Sequence, residues 1–115
     1  MTLYGIRNCN TVKSAVDWLK KNNVDFEFHD YKAKGITASK LKDWSGQIGW
    51  ESLVNKRGTT WRQLDEATQK KITSEKAAID LMIEKTSVIK RPLIEDEGKV
   101  LALGFDEAEY KKTFA

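Results

Sequence analysis

The hydrophobic pattern of the first thirty residues changes its period twice. Residues 2–6 form a short apolar run typical of a buried strand. From Val12 the apolar positions recur at intervals of three and four, which predicts a helix that ends near the asparagines at 22–23. Apolar and polar residues then alternate over residues 24–29, which predicts a strand with one buried face over Phe26–Asp30. The pattern therefore predicts a strand–helix–strand unit with parallel strands and a right-handed crossover.

The middle of the chain carries helical patterns separated by polar segments. We expect the following elements there: a loop at 32–35, a helix over 37–47, a short helical turn at 50–54, a polar loop at 55–62 and a helix over 73–85. Thr37 is a good N-cap for the first of the two longer helices, and Thr73 or Ser74 opens the second.

The last quarter of the chain predicts a hairpin and a final helix. Leu93 begins one apolar run, residues 100–103 form another, and the polar residues 95–98 between them are typical of a turn. Asp106, with Glu109 three residues later, is a capping box. The order βαβ, helices, ββα indicates an α/β fold with a four-stranded mixed sheet. We find no repeat or linker, so we expect residues 1–115 to form a single domain.

Composition narrows the function classes. The 20 basic and 17 acidic residues give a net charge of +3, and they are interspersed, which favours a solvated surface over a direct nucleic-acid interface. The chain has one cysteine and one histidine, which is too few for a typical metal site. The alternation places His29 on the polar face of its strand, and we assign it no role. No apolar run is long enough for a membrane span, and we see no secretory signal. We therefore expect a cytoplasmic protein.

The only cysteine, Cys9, lies where the first strand ends and the first helix begins. Free N–H groups and the positive end of the helix dipole favour a thiolate there, and the thiolate is the nucleophilic form. A small residue filling a helix start is the alternative. The polar flanks Arg7, Asn8, Asn10 and Thr11 favour a chemical role instead.

Three stretches together resemble a known family. They read Tyr-Gly-Ile-Arg-Asn-Cys-Asn-Thr at 4–11, Asn-Lys-Arg-Gly-Thr-Thr-Trp-Arg at 55–62 and Lys-Arg-Pro-Leu at 90–93. In this order they resemble the arsenate reductase/Spx family, and within it the small YffB-like proteins. The resemblance implies a thioredoxin-like fold with a helical insertion, and a glutathione-dependent monothiol reductase that needs no bound cofactor. Glutathione would be its co-substrate, with glutaredoxin as a further partner and a small-molecule or protein disulfide as substrate.

The resemblance assigns roles to particular residues. Cys9 matches the family's nucleophile, and Arg91 would stabilise its thiolate and hold an anionic group. Pro92 matches the cis proline that faces the cysteine in thioredoxin-like proteins, so we expect a cis bond between Arg91 and Pro92. Backbone N–H groups of Asn10 and Thr11 at the helix start can bind the same anion.

Two departures from the family pattern bear on the substrate. Arsenate reductases carry further arginines where this chain has Asn55 and, roughly, Ala102, although Arg57 or Arg62 can substitute. We therefore expect weak activity on arsenate.

Val12 stands where a Cys-x-x-Cys motif would have its second thiol, so a disulfide at Cys9 needs an external partner. The alternatives are an Spx-like redox-responsive regulator that binds RNA polymerase without catalysis, and a plain interaction module.

Overall fold

A computed structural model describes all residues, Met1–Ala115. Its strands and helices are, in chain order, β1 (Thr2–Gly5), α1 (Asn10–Lys21), β2 (Glu27–Asp30), α2 (Tyr31–Lys34), α3 (Ala38–Ile48), α4 (Trp50–Leu53), α5 (Thr59–Arg62), α6 (Glu66–Lys71), α7 (Glu75–Glu84), β3 (Leu93–Asp96), β4 (Lys99–Leu103) and α8 (Glu107–Phe114). They fall into two compact units. Residues 1–34 with 91–115 form the first unit, and residues 35–90 form the second. The single-domain organisation stays a prediction.

The first unit is built on the predicted mixed sheet, whose strand order is β2-β1-β3-β4. β1 and β2 are parallel, with Leu3 opposite Phe28, whereas β3 is antiparallel to both β1 and β4. The turn between β3 and β4 places Glu97 and Gly98 at φ values of 50° and 81°, which suit a tight hairpin turn. The fold class, the parallel pair and the hairpin are confirmed, but Glu95 and Asp96 of the predicted turn belong to β3.

One face of this sheet packs against α1 and α8. The cluster of buried residues there is Leu3, Val12, Ala15, Trp18, Leu19, Ile94 and Tyr110. The ring of Tyr110 meets Trp18 edge-on at a centroid distance of 5.5 Å, and its hydroxyl donates a hydrogen bond to the Gly104 carbonyl at 2.8 Å. This packing fixes the position of α1, whose N-terminus carries the cysteine.

The second unit is helical. Thr37 and Ser74 cap α3 and α7 as predicted, each accepting a hydrogen bond from the N–H three residues on. The two helices pack together, and the Ser45 hydroxyl donates to the Glu75 carboxylate at 2.8 Å. No helix in the chain is both long and apolar enough to cross a membrane.

Short helices are where the sequence-based prediction was wrong. Residues 31–34 form α2 rather than a loop, and α5 occupies the second half of the predicted loop at 55–62. The prediction also missed α6, which the Asp65 carboxylate caps by accepting the N–H of Thr68 at 2.7 Å. Elements of four to six residues contain too few turns for a hydrophobic period to be visible.

Candidate thiol site

Cys9 is the N-cap residue of α1. Its backbone is extended, with φ −139° and ψ 121°, and its carbonyl accepts the first helical hydrogen bond from Lys13 at 2.9 Å. A Ser, Thr or Asp at this position would use its side-chain oxygen to satisfy a helix N–H, but the Cys9 side chain closes no such cap hydrogen bond. The free thiol is half-buried at the positive end of a twelve-residue helix.

The surroundings of Cys9 lower the pKa of its thiol. Partial burial has the largest single effect, and it raises the pKa because it penalises the thiolate. It is outweighed by the backbone N–H of Val12, by the charge of Arg91 and its hydrogen bond to the sulfur, and by the N–H of Thr11. These groups lower the pKa because each interacts more favourably with the charged sulfur than with the neutral one. The lowered pKa agrees with the expectation from the sequence.

Arg91 is held beside the thiol by the strand that follows it. The Arg91–Pro92 peptide bond is cis, as predicted. Pro92 is buried, and its carbonyl accepts a hydrogen bond from the Gly104 N–H at 2.8 Å. β3 begins at the next residue, Leu93, in the interior of the sheet. A backbone anchored in this way restricts where the guanidinium can go.

A buried polar group near Arg91 was not anticipated from the sequence. The Tyr4 hydroxyl donates to Glu95 Oε1 at 2.9 Å, and both side chains are less than a tenth exposed. Burial and this carboxylate together raise the pKa of Tyr4 to about 12. Burial, Tyr4 and Glu95 also raise the pKa of Tyr31, whereas the positive charge of Arg91 lowers it. The charge of Arg91 therefore acts on both the Cys9 thiol and the buried Tyr31 phenol.

Arg7, a polar flank only two residues before Cys9, is engaged elsewhere. Its Nε lies 3.4 Å from Asp30 Oδ2, and its guanidinium lies 5.3 Å from the centre of the Phe28 ring. It is absent from the groups that shift the pKa of Cys9. His29 is not on an outer polar face either, because its ring packs against Tyr4 at a centroid distance of 4.7 Å.

The remaining predicted site residues fall into two groups. Asn10 and Thr11 are exposed in the first turn of α1, next to the thiol, and Thr11 supplies one of the N–H groups that lower its pKa. Arg57 is exposed in the second unit, in a turn where its N–H donates to the Asn55 side-chain oxygen at 3.2 Å. Trp61 of that unit is buried beneath Lys56, whose Nζ lies 5.4 Å from the ring centre, which suits an anchoring role.

Comparison with known proteins agrees with the predicted family. An uncharacterized protein from Haemophilus influenzae is 44% identical, over all of this chain and 99% of its own. The solved structure of a YFFB protein is 43% identical, with a TM-score of 0.91 over 99% of this chain and 98% of its own. The global transcriptional regulator Spx from Streptococcus pyogenes is 27% identical over 96% of this chain and 82% of its own. The ArsC family model matches residues 4–113, so the chain belongs to the ArsC family.

Proposed function

We propose that the protein is a thiol-dependent reductase in which Cys9 is the nucleophile and glutathione is the resolving thiol. The observation that carries the proposal is the lowered pKa of Cys9 at the start of α1, beside Arg91. A half-buried thiol with no chemical role would gain nothing from a cation and two backbone N–H groups that lower its pKa. Lower pKa raises the fraction of thiolate at neutral pH, which is what a nucleophilic cysteine needs.

The proposed cycle needs only one protein thiol. The Cys9 thiolate attacks the glutathione sulfur of a mixed disulfide, forming a bond between Cys9 and glutathione. The substrate sulfur leaves as a thiolate and takes a proton from water. A second glutathione thiolate then attacks the glutathionyl sulfur, releasing the Cys9 thiolate and glutathione disulfide. Overall, the mixed disulfide and one free glutathione become the substrate thiol and glutathione disulfide, so the number of disulfide bonds is unchanged.

The chain requires an external thiol for this cycle because it has no second cysteine. Val12, at the place of a resolving cysteine, is only 2% exposed and belongs to the core. Glutathione suits the site chemically, since Arg91 can bind one of its carboxylates and the exposed helix start at Asn10 and Thr11 offers further N–H donors. Arg57 and Pro92 are the other residues that we propose to bind glutathione. Glutaredoxin is the protein that we propose to react with the adduct between Cys9 and glutathione.

A regulator is the second candidate, favoured by the similarity to Spx. In that case Cys9 would form an adduct with a small thiol and hold it, and the modified protein would bind RNA polymerase. The two candidates differ in turnover: a reductase passes through the adduct repeatedly, whereas a sensor stops at it.

The test combines mass spectrometry with turnover. Glutathione disulfide should add one glutathionyl group to the parent protein and none to Cys9→Ser, since no other thiol is present. With a glutathionylated protein substrate, reduced glutathione, and glutathione reductase as the coupling enzyme, the parent should then consume NADPH continuously. An adduct that forms once without turnover would favour the regulator, and absence of the adduct would contradict both uses of Cys9.

A further inference from the structure

A groove in the first unit runs along α1 and β2, away from the thiol. Its volume is about 610 Å³. The floor is apolar and comes from two places: Val12 and Val16 on α1, and Val24, Phe26 and Phe28 at alternate positions leading into and along β2. All of these except Val12 are only partly buried, although they pack against the core. The floor therefore leaves aromatic and aliphatic surface for another molecule to cover.

The rim of this α1–β2 groove is positively charged. Arg7, Lys13 and Lys20 line it, against one acidic residue, Asp25. The exposed Lys13 and Lys20 make no ion pair, so their charges are available. Charges placed around an apolar surface select partners by complementarity more than they add affinity. An occupant that suits the groove has apolar side chains flanked by carboxylates.

The groove begins at Val12, about one helical turn of α1 beyond the reactive cysteine. Val12 belongs to its floor and also supplies the N–H that lowers the pKa of Cys9. From Val12 to Lys20 the helix rises about 12 Å, at 1.5 Å per residue. An extended peptide covers that distance in about four residues. A chain whose disulfide sulfur lies at Cys9 could therefore lay its next few residues along the groove.

We propose that the α1–β2 groove docks an acidic and apolar peptide segment adjoining the disulfide of a protein substrate. The inference rests on the proposed function, and it chooses a protein over a small molecule as substrate. A small oxyanion would use neither an apolar floor of this length nor cations that extend about three helical turns beyond the thiol. The docked segment would hold the disulfide against Cys9 and raise the rate of exchange through proximity.

The test uses two synthetic peptides, each with one S-glutathionylated cysteine followed by leucines. In one peptide the leucines are flanked by glutamates, and in the other by lysines. Binding to the Cys9→Ser protein is measured by fluorescence anisotropy, so that it does not depend on thiol chemistry. The acidic peptide should bind more tightly than the basic one, and added salt should weaken its binding.

A pair of charge-reversal variants locates the binding. Lys13→Glu with Lys20→Glu should weaken binding of the acidic peptide about tenfold. Lys99→Glu with Lys111→Glu changes the net charge equally on exposed residues outside the groove and should have little effect. Lys20 and Lys111 each lie in the last turn of a helix, so these two substitutions carry similar helix-dipole costs.

Three results would overturn the docking proposal. The two peptides could bind equally, the two variant pairs could weaken binding equally, or sedimentation could show a dimer that dissociates only in the Lys13 and Lys20 variant. The last result would assign the groove to a second copy of the chain. Turnover separates this proposal from the reductase: selective binding without exchange contradicts only the reductase, whereas exchange with no preference between the peptides contradicts only the docking.

Discussion

Gly5 at the end of β1 lies directly against Val12 in the first turn of α1. A Cβ atom at position 5 would be 2.9 Å from Val12 Cγ2 and 3.2 Å from Cγ1, closer than carbon atoms normally approach. Only a glycine lets the helix start pack this tightly on the strand. Because the N–H of Val12 helps to lower the pKa of Cys9, the close contact also sets the position of a group that stabilises the thiolate.

Gly5→Ala should therefore affect both stability and reactivity. The added methyl group must push Val12 and the first turn of α1 outward, with a cost of about 1–3 kcal/mol typical of overpacking. The pKa of Cys9 should rise because the Val12 N–H moves relative to the sulfur. Urea denaturation measures the first effect and the pH dependence of alkylation measures the second.

Gly46→Ala is the matched control, since a Cβ there meets nothing within 4 Å and the residue is inside α3. It should leave the thiol unchanged and increase stability by about 0.4–1 kcal/mol, because alanine restricts the unfolded chain. Equal behaviour of the two variants would show that the contact between Gly5 and Val12 has no special role.

The buried hydrogen bond from Tyr4 to Glu95 should matter for stability. Tyr4→Phe keeps the ring but removes a donor at 2.9 Å from a buried carboxylate. Loss of a hydrogen bond to a buried charged group costs about 1–3 kcal/mol. Tyr110→Phe, which removes a neutral hydroxyl-to-carbonyl bond, should cost less. Chemical denaturation of both variants compares the two, and a Tyr4→Phe protein as stable as the parent would mean that the bond contributes nothing.

Arsenate should be a poor substrate. Arg91 supplies one cation beside the thiol, whereas the side-chain oxygen of Asn55 accepts the Arg57 N–H in a turn and Ala102 has no charge to offer. A divalent oxyanion is bound much better by several arginines than by one. Turnover of arsenate with glutathione and glutaredoxin, at rates on the order of 1 per second or more, would contradict this expectation.

The sequence specified the elements that repeat a period or carry a cap. Thr37, Ser74 and Asp106 accept the helix N–H groups that their positions predicted. The alternation over residues 24–29 and the predicted hairpin led to the correct sheet, although β2 begins only at Glu27. Such signals are local, so they can be read without knowledge of the rest of the fold.

What could not be predicted depends on neighbours that are distant in the sequence. Arg7 is two residues from Cys9, yet it pairs with Asp30 of the adjacent strand. Glu95 lies in a polar stretch that is typical of a turn, but the strand register places it opposite Thr2 in the sheet. There it is buried and accepts a hydrogen bond from Tyr4. Sequence proximity alone would pair Arg7 with Cys9, and polarity alone would expose Glu95, but strand pairing decides both positions.

The central claim is that Arg91 and the start of α1 together activate Cys9. Iodoacetamide alkylation follows the thiolate, so its rate should rise with pH and level off above the pKa of the thiol. A lowered pKa moves this rise to lower pH. Arg91→Ala removes both a charge and a hydrogen bond from the thiolate, whereas Arg7→Ala removes a guanidinium that faces Asp30 and Phe28.

The most direct measurement is therefore the pH profile of alkylation for the parent, Arg91→Ala and Arg7→Ala. We predict a midpoint for the parent below the value of about 8.5 of an ordinary thiol. It should be clearly higher for Arg91→Ala and close to the parent for Arg7→Ala. A parent midpoint at or above about 8.5, with a profile that Arg91→Ala leaves unchanged, would contradict the activation of Cys9.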